Sequence, residues 1–266
     1  MSNNPAPLLV HEQNAALWIT INREERRNAI NSDVIEGIHE AVRAAARRTD
    51  IRALVLTGAG RKAFCAGADL SRGTDVFADA PSEPTTDFGR LARSFRALGL
   101  PSIARINGDC VAGGMALMSL CDLAVVADHA RFGLPEAKVG VFPMQVLVYL
   151  RRLMHPRHVQ ELCLTGELIS AQRSLEVGLA NRVVPFEELD AQVDTLLGRM
   201  VAMSPSALTR GKYAMAAMES MGFHEALAFA ETQIALVSRT EDAREGLAAF
   251  NEKRRPRWAA DAGRQA

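Results

Sequence analysis

Along the first half of the chain, short apolar runs alternate with stretches in which apolar residues recur every three or four positions. Residues 8–10 and 17–21 read as strands joined by a polar turn near Gln13 and Asn14, and residues 53–57, 102–106 and 123–127 read as short buried strands. Ser32 is placed to cap a helix in which Val34, Ile35, Ile38, Ala41, Val42 and Ala45 return at helical spacing. Strand and helix in alternation predict parallel pairing with right-handed crossovers. Beyond Pro143 the pattern turns almost wholly helical, with helices expected over 143–154, 157–164, 171–177, 186–203, 205–221, 223–238 and 241–253. Residues 74–87 break the pattern with two prolines, several acids and few large apolar groups, and read as a loop.

Two segments carry chemistry. In the first, the apolar run 102–106 ends in Asn107-Gly108, and Gly113-Gly114 then opens a helix of small and apolar residues. Glu136 follows within Phe132-Gly133-Leu134-Pro135-Glu136. A helix N-terminus offers unpaired N–H groups and the positive end of the macrodipole, and glycine lets a substrate atom come close to them. In the second, Ala63-Phe64-Cys65-Ala66-Gly67-Ala68-Asp69 follows the run 53–57 and the turn Gly58-Ala59-Gly60. Small residues there free another N–H to face a ligand. Two such donors are what an oxyanion hole requires.

With both segments present, the chain resembles the crotonase family, the enoyl-CoA hydratase and isomerase enzymes. Asn28-Ala29-Ile30, Gly166, Ile169-Ser170-Ala171 and Phe250-Asn251-Glu252-Lys253-Arg254 extend the resemblance over nearly the whole chain. It implies an α/β crotonase (ClpP-like) fold. Repeated ββα units would form a spiral core over residues 1–200, and residues 201–266 a helical C-terminal region that builds trimers or dimers of trimers. It implies that the Ala68 and Gly113 N–H groups bind a thioester oxygen and that Glu136 is the acid–base group. Coenzyme A would then run along Arg27, Lys62, Ala63, Ala66, Asp69 and Gly114, with Lys253 reaching a neighbouring subunit's coenzyme. The CoA thioester is substrate, and no prosthetic group is expected.

The chain also departs from the hydratase pattern. The first of two glutamates is replaced by Ala116, and the P-G-x-G-G run by Pro143-Met144-Gln145-Val146-Leu147. Hydration calls for two carboxylates, whereas moving a double bond needs one. Isomerisation is therefore favoured over hydration, with decarboxylation and thioester hydrolysis left open. Met144 and Val146 are expected to narrow and dry the acyl pocket, or else to be core residues. Asp109 is the first substitute for the missing acid, and Asp122 reads as a cap. An inactive scaffold of the same fold is the alternative of a different class.

Composition narrows the partners. Lys and Arg total 31 and Asp and Glu total 31, so no net field favours nucleic acid or an anionic membrane. Cys65, Cys110, Cys121 and Cys163 lack C-x-x-C spacing and read as reduced, buried thiols. The polar residues 1–7 lack an apolar signal core, and no run approaches a membrane span, so a cytoplasmic protein is expected. No P-loop, dinucleotide fingerprint, serine elbow or metal-ligand cluster is present.

Overall fold

The computed structural model describes residues 6–71, 73 and 85–261. Two sheets organise it. The larger has six strands in the order β1-β2-β3-β5-β7-β10: β1 (Leu8–Gln13), β2 (Ala16–Ile21), β3 (Ala53–Gly58), β5 (Ser102–Ile106), β7 (Leu123–Ala127) and β10 (Arg182–Val184). Only β1 runs antiparallel to its neighbour. The smaller sheet has the order β4-β6-β8-β9: β4 (Ala63–Cys65), β6 (Asp109–Val111), β8 (Arg131–Gly133) and β9 (Ile169–Ser170). Chain order makes the repeat visible. A strand of the large sheet is followed by one of the small sheet and then by a helix: β3, β4 and α2 (Asp87–Ala97), then β5, β6 and α3 (Gly113–Leu120). The third pass, β7 and β8, ends in a 3-10 helix, Pro135–Val139, before α4 (Met144–Leu153). This is the crotonase fold.

Alternation along the strands fills a core on each face of the large sheet. Leu17, Ile19, Leu54, Leu56, Ala104 and Val126 join α1 (Ser32–Ala45), α2 and α3 on one face. Ala16, Trp18, Val55, Ile103 and Val125 pack on the other against Leu189, Val193 and Leu197 of α7 (Leu189–Val201). A parallel sheet covered on both faces explains why its strands read as unbroken apolar runs. Helix α3 is buried nearly all round, as a helix at the centre of a core must be.

Three expectations are corrected. The cap of α1 is Asn31, whose side chain accepts from the Val34 N–H at 3.1 Å, and Ser32 is the first helical residue. The almost wholly helical region after Pro143 also holds two short strands that the pattern did not show, since β9 pairs with β8 and β10 adds a parallel edge to β7. Asp87 opens α2, capped by Thr86, and residues 74–84 of the expected loop lie outside the described residues.

Beyond α7 come α8 (Pro205–Met218), α9 (Phe223–Val237), α10 (Glu241–Asn251) and the short α11 (Arg257–Asp261), with α5 (Pro156–Thr165) and α6 (Ala171–Glu176) earlier. Helix α8 is tied to the core by Lys212, which donates to Asp122 and to the Leu100 carbonyl at 2.6 Å each. Asp122 also accepts from the Ser102 N–H and hydroxyl at 2.7 Å, so it acts as an anchor rather than an acid catalyst. No helix among the described residues is long and apolar enough to cross a membrane.

Candidate active site

In the small sheet β4, β6 and β8 run parallel, so their carboxyl ends share one edge. That edge is where open parallel sheets place their ligands. From β4 the chain enters Ala66-Gly67-Ala68, from β6 it enters Ala112-Gly113, and from β8 it reaches Glu136 three residues on. Register ties the three exits together. Cys65 lies opposite Cys110, Val111 lies opposite Gly133, and the Ala112 N–H donates to the Gly133 carbonyl at 2.9 Å.

The two donors come from different local causes. Ala68 forms a parallel bridge with Ile30, whose N–H donates to Gly67 and whose carbonyl accepts from Asp69, both at 2.8 Å. Strand alternation turns the intervening Ala68 N–H to the other side, toward Gly113. A Cβ built on Gly113 would lie 3.6 Å from the Ala68 nitrogen, and one on Gly67 would lie 3.4 Å from the Gly113 nitrogen. Gly113 is the first residue of α3, so its N–H has no acceptor in the helix. Among the described residues neither N–H has a main-chain acceptor. Gly114 serves closeness: a Cβ there would meet the Cys65 carbonyl oxygen at 2.3 Å.

Ala112, before the helix, holds φ 51° and ψ −123°, a backbone conformation that favours glycine. Such a residue costs about 1–3 kcal/mol and persists where its surroundings fix it. Its methyl group lies 2.8 Å from the point a Cβ on Gly67 would occupy, so the two loops close on each other through this residue.

Two buried asparagines hold the loop before β4. Asn107 donates to the carbonyls of Gly60 at 2.9 Å and Ala63 at 3.0 Å and accepts from the Gly58 N–H at 3.1 Å. Asn28 donates to Ala59 at 3.0 Å and to Ala63 at 2.7 Å, and accepts from the Arg23 N–H at 3.1 Å. Asn28 sits at φ 57°, a region asparagine tolerates better than most residues. Sequence reading named both asparagines only as motif letters; a polar side chain closing an apolar strand was the available signal.

The proposed coenzyme residues are placed as follows. The Ala66 N–H donates to the Arg27 carbonyl at 3.1 Å, so the two lie side by side, with the Arg27 side chain exposed. Lys62 is exposed and Ala63 is buried, its carbonyl taken by both asparagines. Asp69 is paired with Arg23 at 2.7 Å and also accepts from the Ser71 N–H. The Arg23 guanidinium holds the Asp69 carboxyl down at about 2. Arg23 also donates to the Ala29 carbonyl at 2.6 Å, so it braces the loop.

Glu136 sits half-buried in the first turn of the 3-10 helix. Its Oε2 is buried with no hydrogen-bond partner among the described residues. Burial pushes its carboxyl above the ordinary value, against a smaller opposing pull from its own N–H. Asp109 is not available as a second acid, because it takes the Arg131 guanidinium at 2.6 and 3.1 Å and the Arg131 N–H at 3.1 Å. Ala116 is buried in α3. Met144 is 68% exposed at the start of α4 and so does not wall a dry pocket, while Val146 is 5% exposed and is a core residue. Beside Glu136 on α5, burial, and second the Glu136 charge, raise the Cys163 thiol to about 11. All four cysteines are free and buried. Among the described residues no three His, Cys, Asp or Glu side chains gather to hold a metal.

The enoyl-CoA hydratase/isomerase family model matches residues 11–261. A probable enoyl-CoA hydratase of Mycobacterium bovis is 35% identical over 253 residues, 94% of this chain and 97% of its own length. A 2,3-dehydroadipyl-CoA hydratase of Escherichia coli is 33% identical, over 94% and 97% respectively. Among solved structures, an enoyl-CoA hydratase of Mycobacterium smegmatis superposes with a TM-score of 0.86 at 32% identity, covering 95% of this chain and 98% of that one.

Proposed function

The chain belongs to the enoyl-CoA hydratase/isomerase family, and from that premise we propose that it moves a proton at an enoyl-CoA thioester, with isomerisation as its leading reaction. The thioester oxygen lies between the N–H groups of Ala68 and Gly113. Glu136 takes the C2 proton of a 3-enoyl-CoA, the C–H electron pair passes into the enolate, and the oxyanion is held by the two N–H groups. The double bond moves to C2–C3 as Glu136 returns the proton at C4. Losing one such donor typically costs about 10²–10³ in rate.

The observation that carries this reading is the half-buried carboxylate of Glu136, whose Oε2 is buried and unpartnered among the described residues, with Ala116 where hydratases have a second and Asp109 committed to Arg131. A second reading, hydration of a 2-enoyl-CoA, is supported by the hydratase descriptions of the relatives. The test is incubation with crotonyl-CoA and with trans-3-hexenoyl-CoA, followed by mass spectrometry and absorbance. Isomerisation converts the 3-enoyl ester to the 2-enoyl ester without change of mass. Fast hydration of crotonyl-CoA with negligible isomerisation overturns the leading reading in favour of the second. The family resemblance and the exposed apolar residues of α8 to α10 support assembly as a homotrimer or a dimer of trimers.

A further inference from the structure

The 3-10 helix that presents Glu136 is short and lies at the surface. It is five residues long, and none of its residues is buried. Its internal hydrogen bonds have the poorer geometry of the 3-10 type. On the N-terminal side the chain is fixed, because Phe132 pairs with Ile169 and Arg131 with Ser170. The packing continues beyond the last pair, since a Cβ on Gly133 would meet Leu168 Cδ2 at 2.4 Å. Residues 166–170 therefore run back alongside residues 131–138, antiparallel to them.

On the C-terminal side of Glu136 this ladder is closed by one side chain. Lys138 Nζ donates to the Gly166 carbonyl at 2.8 Å. Gly166 ends α5 at φ 60°, where its N–H donates to the Leu162 carbonyl. A Cβ at Gly166 would lie 2.9 Å from Lys138 Cε and 3.3 Å from Pro135 Cα. The bare face of Gly166 is thus the seat on which the lysine stem and the start of the 3-10 helix both rest. Glu136 lies between the strand pairing on one side and this bond on the other. The helix so fastened, α5, carries Cys163, the titratable group that faces Glu136.

We propose that Lys138 is a positioning residue for this reaction: its hydrogen bond to the Gly166 carbonyl fixes the turn that presents Glu136. The proposal rests on Glu136 being the base. The ammonium donates to the Gly166 carbonyl and not to the carboxylate, so the role is mechanical. A misplacement of about 1 Å at a reacting group can cost on the order of 10²-fold in rate.

The test compares Lys138→Met, which keeps the stem and loses the donor, with Lys138→Arg, which keeps a donor. Kinetics on crotonyl-CoA and trans-3-hexenoyl-CoA are joined to amide hydrogen exchange. Lys138→Met is expected to lower kcat about tenfold or more, leave KM nearly unchanged and speed exchange over residues 135–141 but not within α5. Its acidic rate limb is expected to move to lower pH, because a looser turn lets water reach Glu136. Lys138→Arg restores most of the rate. Unchanged kcat and exchange in Lys138→Met overturn the proposal. So does a rate loss accompanied by faster exchange throughout α5, which marks a general structural role, and so does failure of Lys138→Arg to restore the rate. If Glu136→Gln retains full activity, the assignment of the base fails, while exchange over residues 135–141 still reports on the fastening.

Discussion

Glu136 carries a carboxylate oxygen with no partner among the described residues, and if it is the proposed base, rate and stability both depend on its ionisation. Its pKa is raised by burial, so the base form needs a higher pH than an ordinary glutamate does. The rate should therefore fall as pH drops through this raised value. Glu136→Gln removes the base while keeping the shape. Turnover should fall by about 10²–10⁴ with binding of acetyl-CoA, measured by calorimetry, nearly intact. The stability effect has the opposite sign. A group whose folded pKa is raised stabilises the fold below its unfolded pKa, and this contribution is lost as pH rises through the folded value. Above the folded value the wild type therefore bears an ionised, half-buried carboxylate that the glutamine variant does not. Melting curves at pH 4 and pH 8 should show Glu136→Gln more stable than wild type at pH 8 and closer to it at pH 4. An equal difference at both pH values would mean that the carboxylate is better solvated than its burial indicates.

At the scale of elements, the oxyanion edge depends on a loop that has little regular structure of its own. Asn107 is fully buried and saturates three main-chain groups of the turn between β3 and β4, with Asn28 sharing its Ala63 acceptor. Asn107→Ala leaves the Gly58 N–H and the Gly60 carbonyl without the amide, while Ala63 keeps Asn28. At about 1–3 kcal/mol for a buried group left unsatisfied, a loss of about 2–4 kcal/mol is expected in chemical denaturation. The turnover should fall as well, because the Ala68 N–H loses its fixed direction. A stability change below about 0.5 kcal/mol, the range of ordinary surface substitutions, would show that water replaces the amide. The same elements mark how far sequence reading reached. The central strands β5 and β7 were legible to the residue, and the C-terminal helices to within about three residues at their ends, because burial on both faces and a 3.6-residue period leave long signatures. The three-residue strands β4, β6 and β8 are too short to show a period, and β9 and β10 are defined by their partners. The small-residue segments around Ala68 and Gly113 were legible as motifs. The braces behind them, Arg23 on Asp69, Arg131 on Asp109 and Lys138 on Gly166, join residues far apart in sequence and leave no local pattern.

For the whole molecule the unresolved balance is apolar surface. Helices α8 and α9, 14 and 15 residues long, bury no residue within the chain. Met215, Phe223, Ile234, Leu247 and Phe250 stand exposed along α8 to α10, Phe250 at 81%. A helix earns its place in a domain by covering an apolar stripe, and large exposed patches mark interfaces. Polar contacts fasten this region instead: Asp242 ties α10 to α8 by accepting from Ser204 at 2.7 Å and from Ser206 at 2.8 Å, and Lys212 ties α8 to the core through Asp122 and the Leu100 carbonyl. Anchored by its polar groups to its own core, the C-terminal region is left with its apolar side free for another copy of the chain. Light scattering should then give a mass near three or six times the 28.8 kDa of one chain. Ile234→Glu together with Phe250→Glu buries no charge within the subunit, so each chain should still fold by circular dichroism. In the assembly the same pair places like charges in a desolvated interface, and the mass should fall toward that of one chain. A wild type that scatters as a monomer at micromolar concentration overturns the assembly, and with it any part for Lys253 at a neighbour's coenzyme. An assembly that survives both substitutions moves the interface off α9 and α10, and the exposed apolar residues of α4 become the next surface to test.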